Sequence, residues 1–230
     1  MAMPSGSSAR CGAAVSGGIQ TLSGTPRQYT ATISGVDWNH NTYYHAALLR
    51  EVPPGCVRAL DVGCGDGVFA RKLASLAGRV DAIDSDAATI GRTRDQTPVL
   101  PNVTFILGDF LGCPIDAEDY DFVAALASLH HLPFEAGLEK MTRALRPGGM
   151  LAVLGIWPVV TTADRIVSGA AVVANRTYQL LRGPDRVTAP TAPPTMTLDD
   201  VRVRAAQLLP GARVRRRLLW RYTILWTKPS

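Results

Sequence analysis

The chain has 230 residues, 47% of them hydrophobic, and its 24 Lys and Arg against 19 Asp and Glu give a formal charge of +5. That length suits one domain, with or without an elaboration, built around a sizeable core. No apolar run approaches the roughly 20 residues that span a bilayer, and residues 1–28 carry no apolar stretch behind a basic one, so no secretory signal is expected and the cytoplasm is the expected location. The four cysteines, Cys11, Cys56, Cys64 and Cys113, lack the paired spacing of a zinc site or a disulfide framework, and each reads as a small buried or loop residue.

The positive charge is local. Residues 201–230 hold eight basic residues and no acid, which leaves 16 basic against 19 acidic residues elsewhere. Arginines alternating with apolar residues on edge strands commonly form a solvated face that discourages sheet-to-sheet aggregation. A nucleic-acid surface is the other reading of such a patch.

In chain order, residues 1–28, rich in Gly, Ser, Ala and Thr, are expected to form a mobile leader. Residues 29–54 form a capping region with a helix whose N-cap is expected at Asn41 and whose apolar stripe is Tyr44, Leu48 and Leu49. The segment Asp37–His45 packs two tyrosines, two histidines and a tryptophan ahead of and into that helix, which makes His40, Tyr44 and His45 candidates for contact with substrate or cofactor. Pro53-Pro54-Gly55 ends the helix.

A main domain is expected over 55–230. Val57, Ala59, Leu60 and Val62 read as a buried parallel strand, and Val68, Phe69, Leu73 and Leu76 recur at the spacing of one helix face. Between them lies Asp61-Val62-Gly63-Cys64-Gly65-Asp66-Gly67, glycines at a strand-to-helix handover, where α/β sheets bind ligands. The spacing is not the G-x-G-x-x-G of a dinucleotide fingerprint, and the acids Asp61 and Asp66 oppose a pyrophosphate. A cationic ligand suits the loop better.

A second strand, Arg79–Asp84, ends in an acid at about the distance where nucleoside-binding α/β units bring a carboxylate to ribose hydroxyls, with Ser85 beside it and Asp86 as the expected cap of the next helix. A third, Val103–Leu107, leads into Gly108-Asp109-Phe110, and a fourth, Tyr120–Ala127, into Ser128-Leu129-His130-His131-Leu132. A helix over Phe134–Leu145 buries Leu138, Met141 and Leu145, the turn Arg146-Pro147-Gly148-Gly149 stops it, and Met150–Trp157 is a fifth, buried strand. Residues 158–196 read as an insertion or lid with an amphipathic helix at 163–181. A capped helix follows from Thr197 to Leu209, and Ala212–Thr227 reads as two strands turning near Trp220-Arg221.

From Asp61-x-Gly63-x-Gly65-x-Gly67, the acid-bearing strand ends, the Leu-His-His-Leu segment, the Leu-Arg-Pro-Gly-Gly turn and the closing hairpin, the sequence resembles the class I S-adenosylmethionine-dependent methyltransferases over about residues 55–228. The resemblance implies a doubly wound, mostly parallel α/β sheet of seven strands with a C-terminal antiparallel hairpin, the Rossmann-like methyltransferase fold. It implies S-adenosyl-L-methionine as cofactor, with the backbone of Gly63, Cys64, Gly65 and Gly67 facing the methionine moiety and Asp61 orienting the loop or the ammonium. Asp84 and Ser85 are placed at the ribose, Asp109 at the adenine amino group, Phe110 on the ring, and Ala127 at the end of the fourth strand.

His130 or His131 would serve as general base, the sequence not separating them, and His40 and Tyr44 would line the substrate mouth. No Asn/Asp-Pro-Pro-aromatic segment follows the fourth strand, so methylation of an exocyclic base nitrogen is not expected. No acid pair has metal-ligand spacing, so no metal is expected. The reading is methyl transfer to a small-molecule or peptide-like metabolite, of the kind found in secondary metabolism, by a monomer or homodimer. An RNA-directed methyltransferase using the basic C-terminus and a nicotinamide-dependent dehydrogenase are the alternatives.

Overall fold

The computed structural model describes residues 39–96, 100–159 and 194–230, together with the isolated positions 169 and 172. The expected leader 1–28, Asp37 and Trp38, and most of the insertion with its helix at 163–181 lie outside the described residues. The rest is a seven-stranded sheet made of β1 (Arg58–Val62), β2 (Arg79–Asp84), β3 (Val103–Leu107), β4 (Tyr120–Leu126), β5 (Leu145–Ile156), β6 (Arg213–Arg217) and β7 (Arg221–Thr227). Their spatial order is β3-β2-β1-β4-β5-β7-β6. Pairing is parallel from β3 through β5 and antiparallel in the closing hairpin.

The order reverses direction between β1 and β4, so their carboxyl ends open a crevice at the centre of the sheet. Alternate side chains of the central strands feed two cores. Leu60, Val62, Val123, Ala125, Leu151 and Val153 belong to one, and Ala59, Phe122, Ala124, Ala152 and Leu154 to the other. Strands buried on both faces read as continuous apolar runs for this reason. The first core is closed by α4 (Phe134–Ala144) and α5 (Leu198–Leu208), the second by α1 (Thr42–Leu49), α2 (Val68–Leu73) and α3 (Ala87–Gln96). A reciprocal capping box between Thr197 and Asp200 starts α5 where its sequence signals it.

Several local expectations are corrected. Val57 and Leu76 are exposed rather than on the buried faces of β1 and α2, because the strand starts at Arg58 and the helix stops at Leu73. Asn41 stands at the N-cap position of α1 as expected, but its side chain makes no cap bond; the Asn39 side-chain carbonyl accepts from the N–H groups of Asn41 and Thr42 instead. The residues Arg146–Gly149 do turn, but inside β5. Tyr120 pairs with Leu145 and Phe122 already with Met150, so they bulge outward, and Gly148 and Gly149 bond instead to the backbone of Lys228.

The hairpin turn is Leu218–Trp220, just before the expected place. Cys56 and Cys64 are free, whereas Cys113 is disulfide-bonded, against the expectation that no cysteine pairs. Among the described residues no helix is long and apolar enough to cross a membrane.

Candidate active site

Where β1 hands over to α2, the chain passes through three left-handed glycines, Gly63 at φ +70°, Gly65 at +53° and Gly67 at +70°. A Cβ at Gly63 would fall 2.2 Å from Ser128 Cβ, so this glycine lets the loop press against the end of β4. A Cβ at Gly65 would meet nothing within 4 Å, so this part of the loop faces open space. Gly63 and Cys64 donate to the Ile83 carbonyl, and Gly65 donates at 2.8 Å to Asp84 Oδ2, whose partner oxygen accepts from the Asp86 N–H. Asp86 also caps α3 through the Ala88 N–H and the Thr89 hydroxyl, as expected. Asp109 turns its carboxylate back onto the N–H groups of Leu111 and Gly112.

These residues line a cleft of about 350 Å³ above the carboxyl ends of the strands, within the roughly 300–1,000 Å³ of small-ligand sites. Five of its lining residues are acids, Asp61, Asp66, Asp84, Asp86 and Asp109. Ser85, Phe110 and Ala127 join them, and Ala127, a non-glycine at φ +53°, is held by donating to the Leu154 carbonyl. Asp61 is 1% exposed. It accepts a hydrogen bond from the Ala70 backbone, yet its Oδ2 has no partner. Burial first, then the charges of Asp84 and Asp66, push its carboxyl up to about 7. Cys64 is no nucleophile, since burial, Asp61 and Asp84 hold its thiol well above its ordinary range.

The opposite wall comes from α1, the end of β4 and the hairpin: Asn39, His40, Asn41, Thr42, His45, His131, Leu132 and Arg221. Of the two adjacent histidines, His131 lines the cleft. His130 does not, and burial, His131 and Arg221 hold it down at about 4. His45 is buried against Phe69 with Lys72 Nζ 3.2 Å from Nδ1, and burial followed by that ammonium lowers it to about 3. Both imidazoles are therefore neutral at pH 7. Tyr44, expected at the substrate mouth, lies outside the cleft lining: its hydroxyl donates at 2.8 Å to the Leu218 carbonyl, and burial raises it to about 12.

Comparison with known proteins decides the family. Residues 59–149 match the methyltransferase domain family, and an uncharacterised methyltransferase of Mycobacterium bovis is 32% identical over 203 residues, covering 84% of this chain and 98% of that one. The chain belongs to the class I S-adenosylmethionine-dependent methyltransferases. A demethylmenaquinone methyltransferase of Staphylococcus aureus is 30% identical over 102 residues, 43% of this chain and 42% of that protein. Among solved structures, a SAM-dependent methyltransferase from Aquifex aeolicus superposes with a TM-score of 0.55 at 18% identity, over 80% of this chain and 88% of that one. Phosphoethanolamine N-methyltransferase 2 of Haemonchus contortus, in complex with S-adenosyl-L-methionine, gives 0.56 at 14% identity, over 82% of this chain and 53% of that one.

The methyltransferase uses S-adenosylmethionine, and the cleft fits it on its own chemistry. A buried acid with an unpartnered oxygen and a carboxylate-rich wall suit a ligand with an ammonium and a sulfonium and repel phosphate. Sequence reasoning missed Ser128, wedged against Gly63 with its hydroxyl on the Val62 carbonyl, and Arg221. The serine beside the His-His pair was a visible signal. Arg221 had none, being one of eight basic residues in its segment.

Proposed function

We propose that this methyltransferase acts on a small-molecule acceptor, with the acid wall holding the cofactor and the α1, His131 and hairpin wall holding the acceptor. The observation that carries the reading is the run of acids on the ends of β1, β2 and β3, headed by the buried, half-partnered Asp61. Asp61 would pair with the methionine ammonium, and the backbone from Gly63 to Gly67 would lie along the methionine chain. Each Asp84 oxygen already accepts one backbone N–H and keeps a lone pair for a ribose hydroxyl, with Ser85 beside it. Asp109 would accept from the adenine amino group, Phe110 would lie on the ring, and Ala127 would sit near the reacting end.

When bound, the cofactor supplies a methyl group already activated on a sulfonium. The chain's own part is to align the acceptor and keep water out, which supplies much of the acceleration. His131, exposed and at the cleft, is the group that would take the acceptor's proton, with His40 across the mouth. A small acceptor is supported by the demethylmenaquinone and phosphoethanolamine enzymes among the similar proteins. The basic tail is largely spent internally: Arg202, Arg204, Arg213 and Lys228 pair with Asp199, Glu135, Glu51 and Glu118, and Arg216 lies over Trp157.

Titration calorimetry with S-adenosylhomocysteine tests the assignment. Wild-type protein should bind saturably, and Asp84→Ala should weaken binding at least tenfold. Unchanged affinity in the variant would remove Asp84 from the ribose, and no binding by the wild type would remove the cofactor from this cleft.

A further inference from the structure

In the binding mode given above, Asp61 takes the ammonium of the cofactor's methionine part. The same moiety carries a carboxylate, and the five acids that line the cleft oppose it. A hydrogen-bond donor is needed where loop 63–67 passes into α2. His45 stands there. It belongs to α1 and lines the cleft, yet it packs edge-on against Phe69 of α2 with ring centroids 5.0 Å apart, so it sits at the seam between the two walls. The residue is 4% exposed.

Its neighbour fixes which nitrogen bears the proton. Lys72 Nζ lies 3.2 Å from His45 Nδ1, and an ammonium can only donate, so Nδ1 is the bare, accepting nitrogen and the proton sits on Nε2. Burial and that same ammonium keep the ring neutral at pH 7. Among the described residues Nε2 has no hydrogen-bond partner. It is not sealed away either, since the buried unpartnered side-chain atoms there are Asp61 Oδ2 and His130 Nδ1. Nε2 therefore keeps access to the cleft that the ring lines.

We propose that His45 is a cofactor-binding residue whose Nε2–H donates to the carboxylate of the methionine moiety, with Lys72 as the positioning residue that holds the tautomer able to donate. A neutral donor with a cation behind it satisfies an anionic oxygen without placing a second full charge inside the cleft. The pair also sets specificity. Five acids alone would favour the nucleoside stripped of its carboxylate, and His45 turns that preference toward the intact amino acid. This rests on the acid wall being the cofactor's half.

Calorimetry on the full-length protein compares S-adenosylhomocysteine with S-adenosyl-3-thiopropylamine, the same thioether nucleoside lacking only the carboxylate. The wild type should bind the first at least tenfold tighter. His45→Phe keeps a ring against Phe69 and removes the donor. It should abolish or reverse the preference while affinity for the decarboxylated ligand stays within twofold, whereas a ring that only packed would weaken both ligands alike. His45→Gln, which restores an N–H near the Nε2 position, should recover part of the preference, and Lys72→Met should weaken S-adenosylhomocysteine alone. Heteronuclear NMR of the wild-type imidazoles covers the case in which the His45 variants do not fold: the histidine whose signals Lys72→Met displaces should carry its proton on Nε2. No binding of S-adenosylhomocysteine by the wild type would remove the cofactor from this cleft and this assignment with it. Saturable binding without the tenfold preference, equal loss of both ligands in His45→Phe, or a protonated Nδ1 would overturn the role of His45 and leave the cofactor in its cleft.

Discussion

Two buried aspartates on neighbouring strands have opposite surroundings. Asp61 of β1 and Asp81 of β2 are each 1% exposed. Asp81, nearer the amino ends of the strands, receives Arg58 through Nε and Nη at 2.9 and 2.7 Å, the Tyr120 hydroxyl at 3.0 Å and Arg79 Nε at 3.2 Å. Asp61, at the carboxyl end, receives one backbone N–H, and its other oxygen has no partner. A carboxylate answered within its own chain serves the fold. One left half-answered at the rim of a cleft is held for a ligand, at a cost to the fold.

The contrast is broken most severely at Asp81. Asp81→Ala leaves Arg58 and Tyr120 facing the vacated site, and removing one member of a buried charged network costs about 3–5 kcal/mol. A protein of this size should then melt roughly 10 °C lower or more. Asp119 still pairs with Arg58, which would place the loss toward the lower end. Thermal denaturation followed by circular dichroism measures it. A shift under about 2 °C would mean that the network contributes little.

The reverse outcome is expected at Asp61. Its carboxyl titrates near 7 in the folded chain, against about 3.9 when unfolded. Between those values the folded state keeps a proton that the unfolded state has lost, so stability falls as pH rises through that window and levels off above about 7. The accumulated cost is on the order of 4 kcal/mol. Asp61→Asn carries no such slope. Its ligand-free form should melt above the wild type at pH 8 and converge with it toward pH 5, while S-adenosylhomocysteine affinity drops tenfold or more. A melting difference that does not change with pH would show that Asp61 is not the titrating group.

The same contrast explains what the sequence could reveal. The acid wall was legible because its parts are local: an apolar run closing on an acid announces itself within a few residues at Asp84 and Asp109, and at Asp61–Gly67 alternating glycines add to the signal. The far wall is assembled from residues far apart in the chain, with Arg221 and Asn41 180 positions apart and Tyr44 and Leu218 174 apart. No spacing rule links them. Asn41 therefore read only as the helix N-cap that it is, with no sign that its side chain accepts from Arg221, and Arg221 read as part of a solvated stripe. Arg146–Gly149 carried the residues of a turn, and nothing nearby signalled that Lys228 would draw that turn into the sheet.

The smallest effect is expected at Tyr44, where a residue with the look of a substrate contact does a structural task. Its ring is buried, edge-on to Tyr43 at 4.9 Å, and its hydroxyl bonds to the Leu218 carbonyl, outside the cleft lining. Tyr44→Phe keeps the ring and removes that one bond, worth about 1 kcal/mol, or roughly 2–4 °C in melting temperature. Cofactor affinity should stay within twofold. Phenylalanine also retains the bulk that supports the turn, so any change in acceptor binding should be a loosened KM rather than a lower kcat. A fall in kcat of a hundredfold with an unchanged melting temperature would return Tyr44 to the chemistry and make the Leu218 bond a resting position of a catalytic hydroxyl.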